Sequence, residues 1–345
     1  MIISSANFYD FINKCSEGLD GFTEVIVPSK PHFSENGNTF WKKYKPGNEI
    51  ELFRYRTIDP LKILFYSARE TAYPVESKKI KRLIVGAKAC DLIGMAVLDK
   101  ALLYSGFRDA AYEIWRNNTT IIGADCNETS RECHCNLLNG KPYAERNYDL
   151  NVSCCEENVL ISVGSEKGHN MANLLKSHYD TSDDNTESLN LVASKREAVL
   201  KKLNEQNEKF VEYGKFDAIK IAEEEFWKQE AGECIGCASC TNICPTCYCI
   251  IVNDESAKNQ FVKVRSYDSC QLNGYARVAG GATPRPSFVQ RLRNRYMCKF
   301  IFMKKDFDMP GCTGCGRCIE ADPSNIDMRT VINKASSKYS LTTSN

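Results

Sequence analysis

Histidine is scarce in this chain, with four in 345 residues, and so is net charge, at +1. That balance leaves no basic footprint of the kind that nucleic-acid binding requires. No apolar run approaches the roughly 18 residues of a membrane span. The opening MIISSANFYDFINKC has no basic segment followed by a long apolar stretch, so no export signal is expected. No G-x-G-x-x-G follows a strand and no P-loop occurs, so the chain is expected to hold no nucleotide of its own. Cysteine, by contrast, is abundant, with eighteen residues in clusters. In a chain expected to be cytoplasmic, where thiols stay reduced, such clusters point to metal ligands or redox groups rather than cross-links.

Residues 1–179 read as a mixed α/β domain. The runs TEVIVP (23–28), KILFYS (62–67), RLIVGA (82–87), TTIIGA (119–124) and NVLISVG (158–164) predict strands. The stretch CDLIGMAVLDKALLYSG spaces its apolar residues as a helix and ends at a glycine. Residues 180–230 are expected to be a linker and connector: the acidic DTSDDNTESLN, then an amphipathic charged helix over 194–214 that stops at Gly214. A cysteine-rich, α-helical domain with an insertion is expected over 231–335. The polar tail 336–345 reads as disordered.

The strongest signal is CIGCASCTNICP. Cys234, Cys237, Cys240 and Cys244, followed by Pro245, reproduce the C-x₂-C-x₂-C-x₃-C-P run of two-cluster bacterial ferredoxins. A second run has Cys312, Cys315 and Cys318, then Asp322-Pro323 where the fourth cysteine is expected. In two-cluster ferredoxins the fourth ligand of each run serves the other cluster. Crossing therefore gives one 4Fe–4S cluster on Cys312, Cys315, Cys318 and Cys244, and another on Cys234, Cys237, Cys240 and Asp322. A carboxylate is a harder ligand than a thiolate. The second site is thus expected to be Asp-ligated or to settle as a 3Fe–4S cluster, unless the motif has simply lost a ligand.

Other readings of these cysteines exist. Paired C-x₂-C motifs also build zinc sites. Cys240, Cys244 and Cys247 happen to spell the C-x₃-C-x₂-C of radical S-adenosylmethionine chemistry, inside the longer ferredoxin run. Two further sets are visible. Cys90 and Cys126 end predicted strands, with Cys133 and Cys135 following in CHC; Cys247, Cys249, Cys270 and Cys298 lie between the two runs. Spacing alone leaves both sets open between metal ligands and buried structural thiols. Cys15, Cys154 and Cys155 read as ordinary thiols. The glycine-rich AGGATPRP, with Arg277 and Arg285, reads as shaping backbone around a centre. FVQRLRNRY, with Arg291, Arg293 and Arg295, either docks an acidic partner, neutralises a centre's charge or is a solvated helix face.

The segments DPLKILFYSARE, GAKACD, GADCNETSRECHC, NYDLNVS, CIGCASCTNICPTCYC, SYDSCQLNGYARVAGG, RPSFVQRLRNRY and CTGCGRCIEADPSNID together resemble the family containing the anaerobic sulfite reductase A subunit and the β subunit of cytosolic sulfhydrogenases. The resemblance implies an iron–sulfur electron-transfer subunit with no substrate site of its own. Its partners would be a flavin- and NAD(P)-binding subunit and a catalytic subunit of sulfite reductase, NiFe hydrogenase or heterodisulfide-reductase-like type. The resemblance also implies ligand roles for the third and fourth sets, up to four clusters in all. Cys298 stands where relatives carry histidine. Asp322 and the poorly matching stretch 165–225 are the departures. The rival expectation is a stand-alone zinc or iron–sulfur protein with structural or lyase-type centres.

Overall fold

RLIVGA and TTIIGA are buried along their whole length, as expected of parallel strands covered on both faces. They form the centre of a seven-stranded sheet in this computed structural model, which describes all residues except 32–36, 76–78, 107, 184, 213–215, 258–259 and 340–345. The strands of this sheet are β1 (Ile2–Ser4), β2 (Glu24–Ser29), β3 (Phe40–Lys43), β5 (Arg82–Ala87), β6 (Thr119–Ala124), β7 (Leu150–Cys155) and β8 (Asn158–Val163), ordered β1-β8-β7-β6-β5-β2-β3. β2, β5, β6 and β7 run parallel, while β8, β1 and β3 are antiparallel to their neighbours.

Alternation along β5 divides the core in two. Leu83 and Val85 face a layer with Phe8, Phe11 and Ile12 of helix Ser5–Ser16 and Met171 and Leu175 of helix Glu166–His178. Ile84 faces the other layer, with Leu92, Met95 and Leu98 of helix Ala89–Leu102. The carboxyl ends of β5 and β6 lead straight into Lys88-Ala89-Cys90-Asp91 and Asp125-Cys126. In open α/β sheets this is the edge at which ligands bind.

KILFYS is not a strand. Leu61–Leu64 form a 3₁₀ turn after Pro60, with Leu61 and Lys62 buried. Its apolar run is too short to distinguish strand from turn by pattern alone. The connector helix begins earlier than expected, at Thr186, where Asn185 caps it by accepting from the Ser188 N–H, and it ends at Asn207. Gly214 lies outside the described residues. The last helix, Met328–Lys338, carries order into the expected tail, and the rest of that tail from 340 lies outside the described residues.

The cysteine-rich part has a helical core in which Phe226, Trp227, Leu292, Tyr296, Phe300 and Val331 pack together. It is not wholly helical. β9 (Ile250–Ala257) and β10 (Gln260–Tyr267) form a hairpin, because IIVNDESA and QFVKVRSY favour strand pairing over helix. β10 also pairs with β4 (Arg69–Tyr73) from the first half of the chain. Arg265 of β10 is buried against Glu70 and Asp109 and lies over the Tyr66 ring.

The two halves interlock most closely at the cysteine motifs. Arg317 forms a bidentate pair with Asp91 at 2.9 and 2.7 Å, and both side chains are fully buried. Arg56 donates to the Cys315 carbonyl at 2.9 Å and pairs with Glu320. The His134 N–H donates to the Gly314 carbonyl at 2.8 Å. Gly314 has φ +66° and sits so close that a Cβ there would fall 2.5 Å from the Cys135 backbone. Gly94, in the middle of a helix where glycine is costly, leaves room for Pro245, which a Cβ would meet at 2.8 Å.

Removing one member of a buried ion pair leaves its partner charged and unsolvated. Asp91→Ala is therefore expected to lower stability by about 3–5 kcal/mol, and the double change Asp91→Leu with Arg317→Met by clearly less. Urea unfolding of the two variants checks this; equal losses would show that the pair contributes only packing.

Candidate metal centres

The two C-terminal runs fold alike. Gly236 and Gly314 have φ +68° and +66°, and Ala238 and Gly316 have φ +63° and +75°. Each run then enters a four-residue helix, Ser239–Asn242 or Arg317–Glu320. Two left-handed residues among three cysteines wrap each loop tightly. The same shape recurs after the helix: Cys244-Pro245-Thr246 corresponds to Asp322-Pro323-Ser324.

The sulfurs group across the runs. Burial pushes up the Cys312 thiol, and Cys318, Cys244 and Cys315 push it further. Burial likewise raises Cys240 to about 11, opposed by Arg295 and reinforced by Cys318, Asp322 and Cys234. Asp322 is half-buried, and its Oδ1 accepts from the Ser324 N–H at 2.9 Å. Cys237 is exposed and meets the Ser239 hydroxyl at 3.3 Å.

Beyond the carboxyl ends of β5 and β6, Cys90, Cys126, Cys133 and Cys135 line one cavity together with Arg56, Gly314 and Cys315. Burial raises Cys126 to about 12; Lys88 opposes this, and Cys133 and Asp125 add to it. His134, between the last two cysteines, is held near a pKa of about 4 by burial, and its Nδ1 lies 2.8 Å from the Glu132 carbonyl. Cys315 borders this cavity as well as its own run, so the two groups adjoin.

The remaining set comes together only in part. A hydrogen bond from Cys249 lowers Cys270 to about 7; Cys298 opposes this, and Cys298 is itself pushed up by burial and by Cys249. Cys247 instead hydrogen-bonds Cys244, which lowers the Cys244 pKa, aided by Lys299 and Lys62. Cys247 thus stands between the Cys312 group and the Cys249 group. Cys15 and Cys155 belong to apolar cores, and Cys154 lies 3.3 Å from Lys195 Nζ.

Among the described residues, no three His, Cys, Asp or Glu side chains converge tightly enough for a single metal ion. A cubane makes a different demand, since each thiolate takes a separate iron and the sulfurs stand further apart.

Composition alone did not reveal the most telling feature. Arg56, Lys62, Lys88, Arg295, Lys299 and Arg317 are all buried, each 4% exposed or less. Arg56 and Arg317 have carboxylate partners. The other four donate to neutral oxygens: Lys62 to the Cys247 carbonyl, Lys88 to those of Leu52 and Asp125, Lys299 to Thr246 Oγ1, and Arg295 to the Cys240 carbonyl. Burial alone lowers the Lys299 pKa, yet Cys244, Cys247, Cys298 and Cys312 overcome it and the net shift is upward. Arg295 behaves alike, under Cys240 and Cys318. Buried cations need an anion. A cubane with cysteine ligands carries negative charge in its usual redox states, so these thiols and cations fit such a group. Part of the signal was present in GAKAC, GCGRC and MCK, where a cation stands within two residues of a cysteine in three of the four sets; the Cys234 run has none.

The 4Fe–4S dicluster domain family matches residues 233–326. Sulfhydrogenase 2 subunit beta of Pyrococcus furiosus (strain ATCC 43587 / DSM 3638 / JCM 8422 / Vc1) is 31% identical over 347 residues, covering 96% of this chain and 97% of that one. The chain belongs to the sulfhydrogenase β-subunit family. Membership makes it an iron–sulfur, electron-transfer protein of the oxidoreductase class, with 4Fe–4S clusters in the dicluster region. The family alignment spans both halves, so the α/β sheet is as much part of it as the ferredoxin runs. No helix among the described residues is long and apolar enough to cross a membrane.

A cation buried for the sake of an absent anion destabilises the metal-free chain. Lys299→Met is expected to raise the stability of the metal-free protein by on the order of 1 kcal/mol or more while weakening its hold on iron. Thermal unfolding without metal and iron retention under a chelator measure the two effects. Stability and retention moving in the same direction would contradict the charge argument.

Proposed function

We propose that the chain is the iron–sulfur relay subunit of a multi-subunit oxidoreductase, standing between a flavin- and NAD(P)-binding subunit and a catalytic subunit of hydrogenase or sulfite reductase type. The observation that carries this reading is the ring of buried cations around adjoining groups of thiols. The name of the Pyrococcus furiosus relative, a sulfhydrogenase subunit, favours the hydrogenase-type partner.

In this reading Cys312, Cys315, Cys318 and Cys244 hold one cluster, and Cys234, Cys237, Cys240 and Asp322 another. Cys90, Cys126, Cys133 and Cys135 hold a third. Cys249, Cys270 and Cys298 serve a fourth, with Cys247 placed to join it or to remain beside Cys244. The bound clusters supply one-electron transfer. The protein's own part is to fix the thiols, exclude water and set the local charge. Lys299 and Thr246 do this at Cys244, whose sulfur lies 3.2 Å from Thr246 Oγ1. Arg56 and Arg317 do it where the Cys90 and Cys315 groups meet. Charge and hydrogen bonding near the sulfurs tune reduction potential. The proposed domains are 1–179 and 231–335, joined by the connector at 180–230.

Anaerobically prepared protein is expected to absorb broadly in the visible, to bleach with dithionite and to contain more iron than two cubanes hold. It should not oxidise NADH until a flavoprotein partner is added. A colourless protein containing zinc would overturn the relay reading; iron sufficient for only two cubanes would return Cys90, Cys126, Cys133 and Cys135 to structural thiols.

Asp322 gives a sharper test. Mild oxidation should produce a 3Fe–4S signal in electron paramagnetic resonance, because the iron held by oxygen leaves first. Asp322→Cys should suppress that signal, and Asp322→Ala should make it permanent. Identical spectra from all three proteins would make Asp322 a bystander.

A further inference from the structure

Of the eighteen cysteines, Cys237 alone is exposed. Around it lie exposed apolar side chains. Ile235 is 63% exposed and Phe288 47%. The Phe288 ring covers Gly236, where an added Cβ would fall 2.5 Å from it. Arg291 stacks on that ring at 4.7 Å and donates to the carbonyls of Arg285 and Pro286, while its own carbonyl accepts from Gln271. Both roots of the loop 271–286 are thereby fastened beside the Cys237 turn, and the loop carries Leu272 and Val278 exposed to solvent.

The charge of this region is one-sided. From Ser269 to Lys305 there is no aspartate or glutamate, but eight lysines and arginines, in a chain whose net charge is only +1. Three of the eight, Arg291, Arg295 and Lys299, are buried. Arg277 and Arg293 are exposed and Arg285 is half-exposed. Glu233 is the exposed carboxylate next to the turn in sequence, and it leaves the balance positive.

We propose that this face is the docking surface for a small acidic iron–sulfur electron carrier whose carboxylates ring its own redox centre; the proposal rests on the relay reading above. One electron leaves the reduced carrier and is gained by the centre of the Cys237 group, with no bond made or broken. Electron transfer weakens steeply with distance, so it is favoured where a ligand thiol reaches the surface. A few apolar side chains among arginines are what interfaces are enriched in. Opposite charge then steers encounter and orientation without making the complex permanent.

The test uses the full chain, prepared anaerobically, and a bacterial two-cluster ferredoxin of acidic surface as probe, with binding followed by calorimetry. The wild-type chain is expected to bind it and to lose affinity as salt is raised. Arg277→Glu with Arg293→Glu should weaken binding about tenfold or more at low salt, with iron content and dithionite bleaching unchanged. Phe288→Ala should weaken binding while keeping its salt dependence. A fully iron-loaded double variant that binds as the wild type does overturns the docking surface and leaves the relay reading standing. So does a wild-type chain that ignores the ferredoxin, or one that uses this face to pair with itself in sedimentation. A chain that takes up no iron overturns both.

Discussion

Arg317 and Asp91 are both removed from water, and each stands next to a cysteine of a different group. Asp91 follows Cys90 at the start of the helix that leaves β5; Arg317 precedes Cys318 in the second ferredoxin run. Their bidentate contact pulls the sheet's carboxyl edge onto the cysteine loops. The other close approaches, Gly314 on Cys135, Pro245 on Gly94 and Arg56 on Cys315, depend on the register this pair sets. Such a pair is a weak source of net stability, because desolvation offsets most of its attraction. Its contribution is placement: two buried charges tolerate only one alignment.

Charge also explains why so many cations lie inside. A lysine is seldom buried without an anion. Here Lys62 and Lys299 lie beside Cys244 and Cys247, Arg295 beside Cys240 and Cys318, and Arg317 beside Cys315 and Cys90. Each boundary between neighbouring thiol groups thus has a cation on it. The group of Cys312, Cys315, Cys318 and Cys244 touches all the others through these residues, which makes it the junction of the arrangement. A positive charge at each boundary would offset repulsion between clusters held there, as proposed.

How much of this could be read from the sequence depended on whether the signal was local. The β-branched runs of β5 and β6 declared strands, and Gly106 sat beyond a true helix. The two ferredoxin runs were legible because ligand spacing is itself local. KILFYS failed because Pro60 and a buried lysine turn the same apolar residues into a 3₁₀ turn. β4 was missed because RETAY has little strand character alone and gains it by pairing with β10, about 190 residues on in sequence. The buried lysines were legible only as a hint, in Lys88 and Lys299 standing close to cysteines along the chain. That they lose their water is stated only by the fold.

The two halves of the ferredoxin pattern finally differ in how wet they are. Cys244 is buried, with Thr246 Oγ1 at its sulfur and Lys299 behind that hydroxyl. Its counterpart Asp322 is half-buried and is held by a backbone N–H from Ser324, the counterpart of Thr246. Thiolate suits the dry position, where a softer and less strongly hydrated ligand costs less to desolvate. Carboxylate suits the wetter one, and it stands at the group that also contains the exposed Cys237. The aspartate in place of cysteine therefore falls in the wetter part of the arrangement, where the ligand role proposed for it would be least penalised.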